Sequence, residues 1–184
     1  MLALKQQLYI LIFVFTFSAM GNSLVAQSSE KFNDAEVAHI AVIANKIDVE
    51  TAKLAKKKSE QSDVIGFANT MISDHTAVIQ KAKDLAEKLG VKPQKNSLSK
   101  KLMEDARKTR SMLRKKSAGA FNKAYINHEV QYHKAVINTI EDVLLPDTEN
   151  AELKDLLEGV LPALKAHLKQ AKNIQNKVAD NGRY

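Results

Sequence analysis

Apolar residues recur at intervals of three and four along four long segments, which is the spacing of the buried face of an α-helix. These segments cover about residues 35–58, 63–89, 120–145 and 151–178. A shorter and strongly charged segment at residues 98–116 predicts an additional surface helix. No strand-like alternation with a period of two competes with this pattern. The sequence therefore predicts an all-α fold.

Turn and cap residues predict where the long helices begin and end. Asp34 and Asn150 are candidate N-caps of the first and fourth long helices. Gly90 is expected to end the second long helix, and Pro146 with Asp147 the third. Pro162 lies inside the fourth, where it should bend the helix or open one backbone hydrogen bond.

Four long helices and one short connecting helix predict a four-helix bundle. The connection at residues 90–119 is long enough to travel the length of such a bundle. The second and third long helices can then run parallel, as in ferritin-like folds with one long crossover. An up-down-up-down order with an embellished loop is the alternative.

The first 26 residues follow the order of a secretory signal peptide. A single lysine precedes the apolar run LYILIFVFTFSAM, and small residues follow in GNSLVAQ. The predicted organisation is a signal peptide at 1–26, a ferritin-like bundle domain at 34–178 and a flexible tail at 179–184. An uncleaved signal anchor is the alternative. The mature protein is expected to be periplasmic or associated with the cell envelope, without an integral membrane span.

Composition narrows the chemistry and the partners. The chain has no cysteine, which excludes disulfides, thiol catalysis, iron–sulfur clusters and cysteine-ligated zinc. Its net charge is +7, and removal of residues 1–26, with one lysine and no acid, leaves +6. For an exported protein the relevant anions are those of the envelope rather than nucleic acid. Basic and acidic residues are interleaved, which favours a solvated helix face over a binding patch. Homo-oligomerisation stays open.

One histidine interrupts the apolar row of each of three long helices. His75, His133 and His167 lie near the middle of the second, third and fourth long helices. With a rise of about 1.5 Å per residue, their levels in the bundle agree within about 6 Å. The three imidazoles are therefore predicted to meet inside the bundle.

Acidic residues accompany these histidines. Asp48 and Glu50 flank the apolar stripe of the first helix, Asp74 lies near the edge of the second stripe, and Glu129 lies one turn before His133. Imidazoles with a carboxylate suit zinc, iron, copper or manganese. The candidate metal ligands are His75, His133, His167, Asp48, Glu50, Glu129 and Asp74.

Two interpretations of this cluster stay open. The histidines and acids either satisfy one another as a structural core network or bind a transition metal. A di-iron oxidase centre is disfavoured because the Glu-x-x-His spacing occurs only at Glu36 and His39, far from the middle of the bundle. No nucleophile elbow, phosphate loop or dinucleotide fingerprint is present. No catalytic residue is assigned, and a non-enzymatic role is favoured.

Three segments in order resemble a known family: KLAKKKSEQSDVIGFANTMISDHTAVI, FNKAYINHEVQYHKAVI and AELKDLLEGVLPALKAHLKQA. It is a family of exported bacterial proteins with a domain of unknown function and a ferritin-like fold, often labelled outer-membrane proteins. The resemblance covers roughly residues 34–175 and implies export and fold, but no activity. Asn122 stands where many relatives have aspartate. The family's recurrent residues correspond to Asp48, Asp74, His75, Tyr125, His133, Pro162 and His167.

The leading hypothesis is an exported helical-bundle protein that binds a transition metal through its mid-bundle His/carboxylate cluster. The alternative is a non-enzymatic cell-envelope interaction or stress-related structural module. In that case the histidines only satisfy core polar groups, and the basic helix at 99–116 contacts anionic envelope surfaces.

Overall fold

A computed structural model describes residues 31–180 of the chain, with side chains through residue 178. Within that range the structure is helical and contains no strand, which confirms the all-α prediction. A π-helical turn, Ile140–Leu144, joins α4 to α5. No helix in this range is both long and apolar enough to cross a membrane. The helices are α1 (Asp34–Lys58), α2 (Ser62–Lys88), α3 (Ser97–Arg114), α4 (Ala118–Thr139), α5 (Leu145–Asp147) and α6 (Ala151–Asp180).

The predicted signal peptide at 1–26 lies outside the described residues. Of the predicted tail at 179–184, the first two residues continue the backbone of α6, and the remainder also lies outside the described range.

Contacts at one end of the bundle show how the helices are directed. The Asp34 carboxylate at the start of α1 accepts hydrogen bonds from the backbone N–H groups of Glu149 and Asn150, just before α6. Lys88 at the end of α2 pairs with Glu152 at the start of α6. Helices α1 and α6 therefore begin where α2 ends.

Contacts at the opposite end complete the arrangement. Lys177 of α6 pairs with Asp63 of α2 at 2.9 Å, and Gln175 of α6 donates to Asn127 of α4 at 2.8 Å. Helices α2 and α4 thus run parallel to each other and antiparallel to α1 and α6. Helix α3 runs back along the bundle between the end of α2 and the start of α4 and packs against α1 and α4.

Asn33, rather than Asp34, is the N-cap of α1. The Asn33 side chain accepts from the Glu36 backbone N–H at 3.0 Å, and the Glu36 carboxylate accepts from the Asn33 backbone N–H at 3.1 Å. Two donors at the helix start are satisfied in this reciprocal way. The expectation for Asp34 was wrong because its carboxylate is engaged with the start of α6. The expected cap at Asn150 is confirmed, since its side chain accepts from the Leu153 backbone N–H at 3.0 Å.

The expected ends of the second and third long helices are confirmed. Gly90 follows α2 with a positive φ of 65°, as a terminating glycine should. The third long helical segment ends at Asp147, within the expected Pro146–Asp147 pair, because the π turn carries the helical path past Leu145. Proline is tolerated there since it lies in the first turn of α5. Pro162 lies within α6, which continues on both sides of it.

The core contains two large apolar clusters and a small third one around Ile43, Ile47 and Ala106. One large cluster surrounds Phe67 and Phe121 near the start of α2, and the other large one surrounds Ile40, Ile137 and Leu157 near the start of α6. On α2, α4 and α6 one buried histidine falls in sequence between the residues of the two large clusters, and on α1 Asp48 and Thr51 do so. The histidines and Asp48 thus share one level of the bundle.

Candidate metal centre

Three buried imidazoles meet at that level. His75 of α2, His133 of α4 and His167 of α6 are only 5%, 1% and 6% exposed. Their ring centroids are 5.7 Å apart for His75 and His133, 5.4 Å for His75 and His167, and 5.6 Å for His133 and His167. One nitrogen of each ring lies within 4.8 Å of a nitrogen of both others. Each ring occurs at the middle of an apolar stripe, so burial of the three stripes brings the rings together.

Asn45 of α1 holds the ring of His75. The Nδ1 atom of His75 lies 2.7 Å from Oδ1 of Asn45, whose Nδ2 atom donates to the carbonyl oxygen of Ala41 at 2.8 Å. Because the amide oxygen can only accept, His75 carries its proton on Nδ1. Its Nε2 atom keeps a free lone pair and has no hydrogen-bond partner.

Backbone and carboxylate acceptors hold the other two rings. The Nδ1 atom of His133 donates to the carbonyl oxygen of Glu129 at 3.0 Å, which leaves Nε2 buried and without a hydrogen-bond partner. The Nε2 atom of His167 donates to Oδ2 of Asp74 at 2.9 Å. Its Nδ1 atom is likewise buried and has no hydrogen-bond partner. All three rings therefore use one nitrogen for support and keep one lone pair free, as metal-ligating histidines do.

Asp48 of α1 faces two of these lone pairs. Its Oδ2 atom lies 3.1 Å from Nε2 of His75 and 3.6 Å from Nε2 of His133, without hydrogen-bond alignment. The residue is 2% exposed, and burial raises the pKa of its carboxyl to about 8. At neutral pH the metal-free carboxyl is therefore mostly protonated, because an unpaired buried charge is costly.

Glu129 supplies a second buried carboxyl. It is fully buried, and its Oε2 atom lies 3.5 Å from Nδ1 of His133. Burial, followed by the charge of Asp48, raises its pKa well above the usual value. The neighbouring Tyr125 hydroxyl acts in the opposite direction on this pKa, although neither carboxyl oxygen of Glu129 has an aligned hydrogen-bond partner.

His75 and His133 are neutral at neutral pH. Burial is the largest cause that lowers the pKa of His75 to about 3, and the charges of His133 and His167 add to it. Burial likewise lowers the pKa of His133 to about 4, against the hydrogen bond to the Glu129 carbonyl. Neutral imidazoles are the form that binds metal ions.

The structure separates the acids that the sequence could not distinguish. Asp48 and Glu129 lie within the cluster, and Asp74 contacts the outer nitrogen of His167 with a side chain that is 47% exposed. Glu50 does not reach the cluster, because two residues along a helix turn it about 200° away from Asp48. It is exposed and pairs with Lys53 at 2.9 Å.

Sequence reasoning did not assign roles at the site to Asn45 and Tyr125. Asn45 lies three residues before Asp48, so the helical spacing that singled out Asp48 could also have indicated Asn45. Tyr125 corresponds to a recurrent residue of the family that the sequence resembles, without an assigned role. It stacks on Phe121 at 6.0 Å, and its fully buried hydroxyl interacts with the Glu129 carboxyl without an aligned hydrogen bond. Four residues before Glu129, it lies on the same helix face.

A cavity of about 140 Å³ adjoins the cluster. His75, His133, His167 and Asp48 contribute to its wall, and aliphatic side chains form most of the remainder. The polar cluster therefore has a mainly apolar space beside it.

These features define a helical-bundle protein with a buried histidine–carboxylate cluster that has the geometry of a metal site. The chain belongs to the family described as "Domain of unknown function (DUF4142)", whose family model matches residues 20–174. No significant sequence match was found among curated proteins. Among solved structures, the chain is similar to "CopM in the Cu(II)-bound form", with a TM-score of 0.61 and 15% identity. The similarity covers 80% of this chain and 98% of that one, and at this identity it shows the fold alone.

Proposed function

We propose that the protein binds one divalent transition-metal ion through His75, His133 and His167, with Asp48 completing the ligand shell. The observation that carries the proposal is the set of three buried ring nitrogens that lack hydrogen-bond partners. Each of these rings is supported through its other nitrogen by a separate acceptor.

A purely structural network explains this pattern less well. Buried polar atoms in native proteins are nearly all hydrogen-bonded, since leaving one unpaired costs about 1–3 kcal/mol. In each histidine, one ring nitrogen is hydrogen-bonded and the other has no hydrogen-bond partner. Both carboxyl oxygens of Asp48 also lack hydrogen-bond partners. A cation coordinated by these atoms would satisfy them together.

Copper is the metal we place first. Three imidazoles and one carboxylate suit copper or zinc, and copper(II) stands highest in the usual affinity order of divalent ions. The similar fold described as a Cu(II)-bound form supports this order. Glu129 lies one helical turn from His133 and is available as a further ligand or as a support for Asp48.

We also propose that the chain is exported after removal of residues 1–26 and that its bundle is of the ferritin-like four-helix type. Two features support the ferritin-like type of bundle. Helices α2 and α4 run parallel, and the long connection between them contains α3. An exported protein meets metal ions outside the cytoplasm, so copper handling in the cell envelope is the role we favour.

The test is elemental analysis and metal titration of protein purified without a histidine tag. We expect one copper(II) or zinc(II) ion per chain and a higher Tm when the ion is added, because ligands that bind only the folded state stabilise it. The proposal would be refuted if the protein stays metal-free and its Tm does not change when copper, zinc, iron or manganese is added.

Helix α4 offers a matched pair of variants. His133→Gln removes a proposed ligand, whereas His128→Gln changes a half-buried histidine of the same helix outside the cluster. We expect His133→Gln to weaken copper(II) binding at least a hundredfold. The affinity of His128→Gln should stay within about threefold of the original protein.

The second candidate function is an interaction with an anionic envelope surface. Helix α3 and the residues after it present Arg107, Lys108, Lys115 and Lys116 beside the exposed side chain of Met112. Ion pairs neutralise part of the charge, since Lys108 pairs with Glu104 at 2.7 Å. Cosedimentation with anionic vesicles at low and high salt tests this candidate, and binding that is absent at low salt would contradict it.

A further inference from the structure

Basic residues gather at one end of the bundle. Residues 107–123, which end α3 and begin α4, carry seven lysines and arginines. They carry no acid, since neither aspartate nor glutamate occurs between Asp105 and Glu129. The interleaving of basic with acidic residues is therefore interrupted at this end.

The end of α1 adds to the same surface. Residues 51–59 contain four lysines and no acid. The Nζ atom of Lys58 donates to the carbonyl oxygens of Arg114 at 2.7 Å and Lys116 at 2.8 Å. A lysine at these carbonyls stabilises the end of α3, because the C-terminal end of a helix carries partial negative charge. Lys58 thus holds the two basic segments side by side, and we call their exposed lysines and arginines the basic end.

Ion pairs leave most of this charge uncompensated. Within the described part of the chain, Lys108 is the only basic residue of 107–123 that forms an ion pair, and its partner is Glu104. The basic side chains of this segment are exposed, except that of Arg110, which is half-buried. The positive charge is therefore accessible to a partner.

The opposite end of the bundle is acidic. Residues 141–158 run from the π turn into the first part of α6 and carry seven acids and one lysine. Ion pairs from Lys31, Lys88 and Lys165 neutralise part of that charge. The basic and acidic segments lie at opposite ends of α4, about 30 Å apart at a rise of about 1.5 Å per residue. An anionic surface therefore attracts the basic end and repels the other, which orients the bundle.

An exposed apolar side chain at the basic end favours a lipid surface over a soluble anion. Met112 is 43% exposed, and it lies around one surface depression with Arg107, Lys108, Lys115 and Lys116. Cations around an apolar side chain suit the interface of a bilayer. There the charges meet anionic headgroups while the apolar group enters the boundary of the acyl chains.

We propose that the protein docks end-on to a bilayer of anionic phospholipid, with the ends of α1 and α3 against the headgroups and the bundle axis perpendicular to the bilayer. This inference rests on the second candidate function and assigns its surface and its orientation. His133 lies 15 residues after Ala118, the first residue of α4. The metal cluster is therefore about 20 Å from the docked end, and docking leaves it free to bind metal.

The experiment compares paired charge reversals in the full mature chain. Lys115→Glu with Lys116→Glu alters the basic end, and Lys92→Glu with Lys95→Glu makes the same charge change at exposed lysines between α2 and α3, at the opposite end. Phosphatidylcholine vesicles with and without phosphatidylglycerol are pelleted at about 0.1 M salt, where the Debye length of about 10 Å screens the distant pair. On the anionic vesicles we expect the first pair to weaken binding at least tenfold and the second less than threefold.

A second pair of substitutions tests the orientation. Lys56→Glu with Lys57→Glu changes exposed lysines of α1, which a side-on contact through α3 alone would not use. We expect at least a fivefold loss of binding, and unchanged binding would refute the end-on orientation. Met112→Ser keeps every charge and should weaken binding at least threefold. Unchanged binding by Met112→Ser would overturn the choice of a lipid surface.

The outcomes separate this inference from the second candidate function. No binding of the original protein to anionic vesicles would refute both. Binding that is weakened equally by the reversals at the two ends would refute the inference alone. If circular dichroism shows that the variant with Lys115→Glu is unfolded, Arg107→Gln with Lys108→Gln takes its place and should weaken binding at least fivefold. Unaltered binding by that variant would also refute the assignment of the basic end.

Discussion

The Nδ1 atom of His75 and the Oδ1 atom of Asn45 lie 2.7 Å apart, and this contact decides which nitrogen of His75 is free. The amide cannot be turned around without loss, because its Nδ2 atom donates to the Ala41 carbonyl at 2.8 Å. The lone pair of His75 therefore faces Asp48 and the other two rings.

Replacing Asn45 should weaken metal binding even though Asn45 is not a proposed ligand. Loss of an acceptor that orients a ligating histidine typically costs about 10–100-fold in affinity. We expect that loss for Asn45→Ala in competition titrations of copper(II) against a chelator. Asn45→Asp, which keeps an acceptor oxygen at the same place, should recover most of the affinity. An affinity of Asn45→Ala equal to that of the original protein would contradict this role.

Two acids of α1 provide a matched comparison. Asp48→Asn removes the buried carboxylate that faces two histidines, and we expect copper(II) affinity to fall at least tenfold because the carboxylate supplies charge and a ligand atom. Glu50→Gln changes an exposed acid two residues away and should leave the affinity within twofold. Both are measured by the same competition titration. The opposite order of effects would show that the cluster is not where the metal binds.

The metal-free protein should lose stability as the pH rises from 6.5 to 8. The pKa of Asp48 is raised from 3.8 to about 8, so over this range the unfolded chain is ionised while the folded chain holds its proton. The free energy of unfolding then falls with pH by about 1.4 kcal/mol per unit for each such group. Urea unfolding in the presence of a chelator measures this slope, which should be smaller for Asp48→Asn.

At lower pH, His75 and His133 make the free energy of unfolding decrease as the pH falls. Their folded pKa values of about 3 for His75 and about 4 for His133 lie below the model-compound value of 6.5. The unfolded chain therefore binds protons first as the pH falls below 6.5, and stability is lost towards pH 4. Between pH 4 and 6.5 the buried acids and the histidines change the free energy of unfolding in opposite directions. The dependence of this free energy on pH is therefore clearest above pH 6.5. A stability that rises from pH 6.5 to 8 would contradict the buried state of Asp48.

Glu129 should lower the stability of the metal-free fold. Its fully buried carboxyl has no aligned hydrogen-bond partner, although it interacts with the Tyr125 hydroxyl, and apolar replacement of buried ionic groups is often stabilising by about 1–4 kcal/mol. We expect Glu129→Met to raise the free energy of unfolding by about 1–2 kcal/mol in urea titrations at pH 7 with chelator present. Glu158→Met, at an exposed position of α6, is the control and should change it by less than about 0.5 kcal/mol.

Helix boundaries were predictable where a local signal existed. Gly90 and Asn150 act as expected because capping depends on the backbone within one turn. Asp34 was misassigned because its carboxylate is engaged by backbone donors more than a hundred positions away in the sequence. The third long helix ends at the expected Pro146–Asp147 pair, but the sequence carried no signal for the π turn before it.

The site was predictable to a similar extent. The mid-stripe positions of His75, His133 and His167 sufficed to predict their convergence, because a buried stripe must face its neighbours. Asp48 and Glu50 could not be ranked, since both border the same stripe and only the packing of α1 against its neighbours decides which one is enclosed.

The sequence by itself determined the helices, their buried faces and the presence of a histidine at the centre of three of them. Only the tertiary structure decided which carboxyl faces the rings and which nitrogen of each ring is free. Periodicity and capping are local properties of the chain. The hydrogen bond between His167 and Asp74, by contrast, joins residues 93 positions apart on two helices, and it exists only once those helices have packed.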